Sequence, residues 1–161
     1  MGSPVVAILM GSKSALPIMQ EAIDILGDFG VPFEAKVLSA HRAPDAMIAY
    51  ARGCEDRGFK AMIAGAGMAA HLPGMLAATT TLPVMGVPIL AKSLGGQDAL
   101  YSIVQMPRGV PVATFAIGGS GATNAALMVV QMLALTDADL KEKLLAYRAR
   151  RAEAAQIDLV G

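Results

Sequence analysis

The chain has 161 residues, enough for one domain with a proper core, and its 13 basic and 13 acidic side chains cancel. Balanced charge argues against a whole-molecule attraction to nucleic acid or to acidic membranes. One cysteine excludes an internal disulfide, and no cysteine–histidine cluster has the spacing of a zinc site.

Five short apolar segments recur at regular intervals, and each has the length of a β-strand. Most are continuously apolar, which is typical of strands covered on both faces of a parallel sheet. Segments of helical length separate them, so the pattern predicts β-α-β units in a three-layer α/β/α sandwich, with a flavodoxin-like, parallel, five-stranded sheet. The predicted strands are Val5–Met10, Phe33–Leu38, Ala61–Gly65, Val84–Ile89 and Val112–Ile117.

The segments between the strands show helical periodicity, so each helix is expected to bury one face. A late segment, Ala122–Leu135, is apolar around its whole circumference, which predicts burial on all sides, either centrally or by another subunit. The predicted buried faces of the first two helices are Leu16, Met19, Ile23 and Leu26, and Met47, Tyr50, Ala51 and Cys54.

The last predicted helix starts with a sequence resembling a capping box, Thr136–Asp139, and gathers arginines toward its end, as the helix dipole favours. No linker or charge block interrupts the chain. Residues 1–161 are therefore predicted to form one domain, with an α/β core at 4–135 and a C-terminal helix and tail at 136–161. Because this helix follows the last strand alone, we expect it to pack on a neighbouring subunit.

The chain is unusually apolar, with 55% hydrophobic and 16% charged residues, where an average domain carries about a quarter charged. A small monomer cannot cover its surface with so few charges, so we expect a homo-oligomer with extensive interfaces. The opening segment has no basic region and only a short apolar run, which predicts no signal peptide, no membrane span and a cytoplasmic location.

Ligands of open α/β sheets bind at the carboxyl ends of the strands, so the residues after each strand are candidates for a site. After the first strand, Gly11–Ser14 offers small residues and hydroxyls that suit an anion, although a tight turn with Ser14 as the helix cap explains them equally. After the second strand, Ser39–Pro44 contains His41 and Arg42. Arginine binds phosphate and histidine exchanges protons near neutral pH, whereas the alternative is a solvated loop.

After the third strand, Gly65–Met75 has a bare backbone of glycines and alanines against which a flat heterocycle can lie. Close strand–helix packing, with His71 at the helix start, is the alternative. The chain has only two histidines, and both follow neighbouring predicted strands, which favours one shared site. Ser102–Gly109 and Gly118–Gly121 are weaker candidates. No P-loop, dinucleotide fingerprint or hydrolase nucleophile elbow is present.

Together these motifs resemble the class I N5-carboxyaminoimidazole ribonucleotide mutases, the phosphoribosylaminoimidazole carboxylase catalytic subunit family. The resemblance covers nearly the whole chain. It implies an isomerase of de novo purine biosynthesis that moves a carboxylate from N5 to C4 of its substrate, as a homo-octamer without metal or organic cofactor. The segments that carry it are Met10–Ser14, Ser39–Asp45, Ala64–Met75, Ser102–Pro107 and Asn124–Ala126.

The resemblance also implies roles for individual residues. His41 is expected to be the catalytic acid and base, with His71 as a second catalytic residue near the base and the migrating carboxylate. The expected partner is a small ribonucleotide, with no nucleic acid and no membrane. The residues expected to bind the substrate are Ser12, Ser39, Arg42, Ala66, Gly67 and Leu72.

Three positions depart from the family pattern. Ala15 stands where the family has an aspartate that contacts the ribose hydroxyls, Ala43 replaces a threonine, and Met68 replaces a glycine. Since alanine accepts no hydrogen bond, one alternative is a non-catalytic or weakened nucleotide-binding member of the family. Another alternative is a direct carboxylase of aminoimidazole ribonucleotide, which the sequence His71–Met75 disfavours.

Overall fold

The computed structural model describes residues 2–156 and contains one five-stranded parallel sheet. The strand order is β2-β1-β3-β4-β5, the order of flavodoxin-like folds, so the predicted fold class is confirmed. The strands are β1 Val6–Met10, β2 Phe33–Val37, β3 Ala61–Gly67, β4 Val84–Ile89 and β5 Ala113–Thr114.

Helices cover both faces of the sheet. Helices α1 and α5 contribute to one buried apolar cluster, while α2, α3 and α4 contribute to the other. The central strands are buried, except for Gly67 at the end of β3, because each of their faces meets one of these clusters, which explains their continuously apolar sequences. The helices are α1 Leu16–Phe29, α2 Pro44–Arg52, α3 Leu72–Ala77, α4 Gln97–Val104, α5 Gly119–Leu133 and α6 Ala138–Ala154.

The fifth strand is much shorter than its predicted range, Val112–Ile117. It pairs with β4 over two residues, and the chain then makes single backbone hydrogen bonds to that strand, from Phe115 to Gly86 and from Gly118 to Pro88. An edge strand has a partner on one side only, so the chain can leave the ladder early with few hydrogen bonds lost.

The buried face of α1 differs from the prediction. Leu16 is exposed and Ile23 is half-buried, whereas Met19 and Leu26 are buried as expected. The face is completed by Ala22 and by residues nearer the helix end, because α1 packs against α5 as well as the sheet. In α2 the predicted apolar face is buried, apart from a half-buried tyrosine.

The two last helices also depart in detail from the sequence prediction. Helix α5 buries one face, but Met128 on it and Leu135 just beyond its end are exposed in the single chain, so the predicted segment is not buried on all sides within one chain. Asp137, rather than Thr136, caps α6 by accepting a hydrogen bond from the backbone N–H of Leu140 at 3.0 Å.

Helix α6 lies against its own subunit at the end of α1. The aromatic rings of Tyr147 and Phe29 are 5.6 Å apart, and Lys143 Nζ donates to the Phe29 carbonyl at 3.0 Å. Packing of this helix on a neighbouring subunit stays a prediction. The tail residues 157–161 lie outside the described part of the chain. Within residues 2–156, no helix is both long and apolar enough to cross a membrane.

Candidate active site

A cavity of about 750 Å³ lies at the carboxyl ends of the first four strands. Its walls come from the loops after β1, β2 and β3 and from the segment that joins β4 to α4. Every residue assigned to the site from sequence lines this cavity. These residues are Ser12, Ser39, His41, Arg42, Ala66, Gly67, His71 and Leu72.

The two histidines contact each other directly. Nε2 of His41 and Nδ1 of His71 are 2.7 Å apart, and the rings lie nearly perpendicular with centroids separated by 4.8 Å. The strands that precede them, β2 and β3, are not neighbours in the sheet, since β1 lies between them. The two strands are consecutive along the chain, and their loops meet in the expected shared site by reaching across the end of β1.

This contact sets what the imidazoles can do with protons. A hydrogen bond between two neutral imidazoles holds one proton, so one ring donates and the other accepts. The pair is thus suited to give one proton to a ligand and take one back.

Arg42 folds back over the loop that follows β1. Its Nη2 donates to the Gly11 carbonyl at 3.0 Å, and its Nε lies 3.4 Å from the Ser39 hydroxyl, which also accepts from the Arg42 backbone N–H at 3.2 Å. These two side-chain bonds engage two of the five N–H donors of the guanidinium. The charge is held at the cavity wall, where its remaining donors suit an anion.

The first helix starts without a side-chain cap from the described residues. Ser14 does not cap it, because its hydroxyl instead lies 2.6 Å from the Ser12 hydroxyl. The interpretation of Ser14 as a helix cap is therefore wrong. The backbone N–H groups of Ala15 and Leu16 already donate to the carbonyls of Ser12 and Lys13, so this helix start offers an anion mainly the positive end of its dipole.

The glycines at the end of β3 are needed for packing inside the protein. A Cβ at Gly65 would collide with the Met19 side chain, and one at Gly67 would lie 3.1 Å from the Ile89 carbonyl oxygen. The glycines therefore do allow the close packing that the sequence offered as the alternative explanation, with Gly65 against α1 and Gly67 against β4. It coexists with the cavity, because this same segment also forms one of its walls.

The segment after β4 contributes residues that the sequence did not indicate. Leu90, Lys92, Ser93 and Asp98 line the cavity, and Oδ1 of Asp98 is buried without a hydrogen-bond partner in residues 2–156. The rule that ligands bind at strand ends, applied to β4 as to the first three strands, would have found the loop. The weaker candidates Ser102–Gly109 and Gly118–Gly121 are not among the residues that line this cavity.

Comparisons with known proteins agree on one family. The family model described as AIR carboxylase matches residues 5–154. The "N5-carboxyaminoimidazole ribonucleotide mutase" of Bacillus subtilis is 58% identical over 141 residues, covering 88% of this chain and 87% of that protein. The "Phosphoribosylaminoimidazole carboxylase" of Saccharomyces cerevisiae is 57% identical over 144 residues, which is 89% of this chain but 25% of the yeast protein.

A solved structure gives the same picture for the fold. The crystal structure of Treponema denticola PurE superposes with a TM-score of 0.84 at 27% sequence identity. The match covers 94% of this chain and 93% of that one. The five-stranded order and the helices on both faces are therefore shared with a protein of known structure.

Proposed function

The chain belongs to the AIR carboxylase family, and from this premise we propose that it isomerises N5-carboxyaminoimidazole ribonucleotide in de novo purine biosynthesis. The carboxylate moves from N5 to C4 of the imidazole and yields 4-carboxy-5-aminoimidazole ribonucleotide. One structural observation carries the proposal: the hydrogen-bonded His41–His71 pair lies in a cavity that also holds Arg42.

The reaction requires two proton movements and no net change in atoms or electrons. His41 gives a proton to N5 as the N5–carboxylate bond breaks, which leaves an amine and carbon dioxide. C4 then attacks the carbon dioxide, and the proton that C4 loses returns to the histidine pair. A histidine whose free ring nitrogen gives a proton in the first step and recovers one in the second matches this cycle.

The substrate phosphate is proposed to bind between Arg42, Ser12 and the uncapped start of α1. The guanidinium of Arg42, the Ser12 hydroxyl and the positive end of the α1 dipole suit a phosphate better than a neutral group. Ser39 is proposed to contact the ribose or the phosphate. The base is proposed to lie against the backbone of Ala66 and Gly67 and the side chain of Leu72.

We further propose a cytoplasmic homo-octamer of single-domain subunits, residues 1–161, that binds a small ribonucleotide and neither nucleic acid nor membrane. The low charged fraction of the chain and its exposed apolar side chains support the assembly. The balanced charge supports the absence of a nucleic-acid partner.

Two alternatives have an observation in their favour. The name of the yeast relative favours direct carboxylation of aminoimidazole ribonucleotide, and Ala15 favours a weakened, binding-only protein. Product formation from N5-carboxyaminoimidazole ribonucleotide, and from aminoimidazole ribonucleotide with bicarbonate, separates the three. We expect turnover of N5-carboxyaminoimidazole ribonucleotide at a far lower substrate concentration than the mixture of aminoimidazole ribonucleotide and bicarbonate requires. Turnover of the second mixture alone would favour the carboxylase, and binding without turnover would favour the third hypothesis.

A further inference from the structure

Met68 combines two features that rarely occur together. It has a backbone φ of 57° in the left-handed region, where a residue with a side chain is unfavourable. Its large apolar side chain is 66% exposed although it lines the cavity. A strained backbone that displays a methionine at a cavity wall needs a cause.

The residues on either side hold the backbone of Met68 in place. Gly67 pairs with Ile89 across β3 and β4, and a Cβ there would lie only 3.1 Å from the Ile89 carbonyl oxygen. On the other side, the His71 backbone N–H donates to the Ala69 carbonyl at 2.9 Å, and the His71 ring is bonded to His41. The turn at residues 67–71 is thus held at both ends, and Met68 lies between these ends at the cavity wall.

We propose that the Met68 side chain closes over the heterocycle of the bound substrate and retains the carbon dioxide that is released between N5 and C4. The inference rests on the proposed function and assigns to Met68 the retention of carbon dioxide between its two steps. Methionine is unbranched and polarizable, so it can cover a flat ring without a fixed shape of its own. An apolar cover keeps water out and keeps the small, neutral carbon dioxide at high effective concentration beside C4.

Exchange with dissolved carbon dioxide tests this retention. The full-length enzyme turns over N5-carboxyaminoimidazole ribonucleotide in isotopically labelled bicarbonate with carbonic anhydrase, and label in the C4 carboxylate is measured by mass spectrometry. Label that enters the substrate without enzyme is subtracted. We expect little label with the wild-type protein and several-fold more with Met68→Ala and Met68→Gly. The two variants should also release free aminoimidazole ribonucleotide, the compound left when carbon dioxide escapes.

The two variants separate the side chain from the backbone strain. Both remove the cover, but only glycine relieves the left-handed conformation, so only Met68→Gly should raise the melting temperature. Equal leakage in both variants supports the proposal. Leakage in Met68→Gly alone would overturn it, since loop freedom rather than the side chain would then be the cause.

Met128→Ala is the matched control, because Met128 is an exposed methionine on α5 that is not among the residues lining the cavity. It should label like the wild type, and leakage equal to that of the Met68 variants would overturn the proposal. So would wild-type labelling in both Met68 variants. If the wild-type protein itself makes no product from this substrate, the proposed function fails and this inference fails with it.

Discussion

At the scale of single residues, the hydrogen bond between His41 and His71 makes the two rings interdependent but not equivalent. Nε2 of His41 is used in the pair, and so is Nδ1 of His71, which leaves a different nitrogen free on each ring. Each free nitrogen is a candidate to reach the substrate. The roles of the two residues can therefore be separated only by substitution.

His41→Asn is expected to keep the fold and remove turnover. Asparagine can still bond with His71, but it cannot take up and return a proton, so kcat should fall by about 10²–10⁴-fold, the usual contribution of general acid–base catalysis. Steady-state kinetics measures this, with circular dichroism as the check on folding. Near-normal turnover in His41→Asn, with none in His71→Asn, would reverse the roles.

Arg42→Ala is expected to weaken binding before it affects the chemical step. Hydrogen bonds to charged groups contribute about 1.5–3 kcal/mol each, so affinity for aminoimidazole ribonucleotide should fall by at least tenfold in calorimetric titration. Lys92→Ala is the comparison, because Lys92 is a second cation that lines the cavity. A larger loss in Lys92→Ala would place the phosphate at the β4 loop instead.

Ala15→Asp is expected to tighten nucleotide binding by about 1–3 kcal/mol, the range for restoring hydrogen bonds to a desolvated group. Ala15 is only 4% exposed and belongs to the apolar cluster under α1, so an unpaired carboxylate there should also lower the melting temperature of the ligand-free protein. The nucleotide-induced rise in melting temperature should then exceed that of the wild type. Unchanged or weaker affinity would mean that the cavity has adapted to alanine.

At the scale of elements, the start of α5 is held against the chain that leaves β5. A Cβ at Gly121 would overlap the backbone carbonyl of Ala116, and backbone cannot yield as a flexible side chain can. The entry to α5 therefore depends on a residue without a side chain. In helix α1, by contrast, a Cβ added at Gly27 would meet no atom within 4 Å.

Gly121→Ala is expected to destabilise the protein by about 1–3 kcal/mol or more, as overpacking does. Gly27→Ala, the same change in a helix with room for the methyl group, should stabilise it by about 0.5–1 kcal/mol. Urea unfolding followed by circular dichroism compares both with the wild type. Equal stability of the two variants would show that α5 tilts to accept the methyl group.

At the scale of the whole molecule, the exposed apolar side chains have no cover within the described chain. Leu135 is 85% exposed and Leu94 is 72% exposed, and Tyr101 and Leu145 are also largely exposed. They occur on different helices and loops, which suits several interfaces better than one. This distribution agrees with the composition, which already predicts association.

The full chain is expected to form a stable homo-oligomer well above the dimer at micromolar concentration. A monomer of 16.5 kDa leaves these apolar side chains in contact with water, whereas subunit interfaces would bury them and so stabilise the assembly. Multi-angle light scattering measures the mass directly, and dilution tests its stability. A stable monomer would contradict the expectation and weaken the proposed octamer.

The sequence by itself determined the number and approximate positions of the strands and three of the four loops that form the site. Continuously apolar strands can be located because burial on both faces leaves a mark in each strand's own residues. The site loops follow from the rule that ligands bind at the carboxyl ends of parallel strands. Both inferences depend on local composition and on chain order, which a single sequence contains.

Only the tertiary structure decided which groups touch. The flavodoxin-like strand order was predicted, but it leaves open which loops meet, and only the structure shows His41 against His71 across the end of β1. The early end of β5, the bond from Ser14 to Ser12, the unpaired oxygen of Asp98 and the left-handed turn at Met68 arise in the same way. Each depends on residues distant in sequence or on local geometry that residue type alone does not encode.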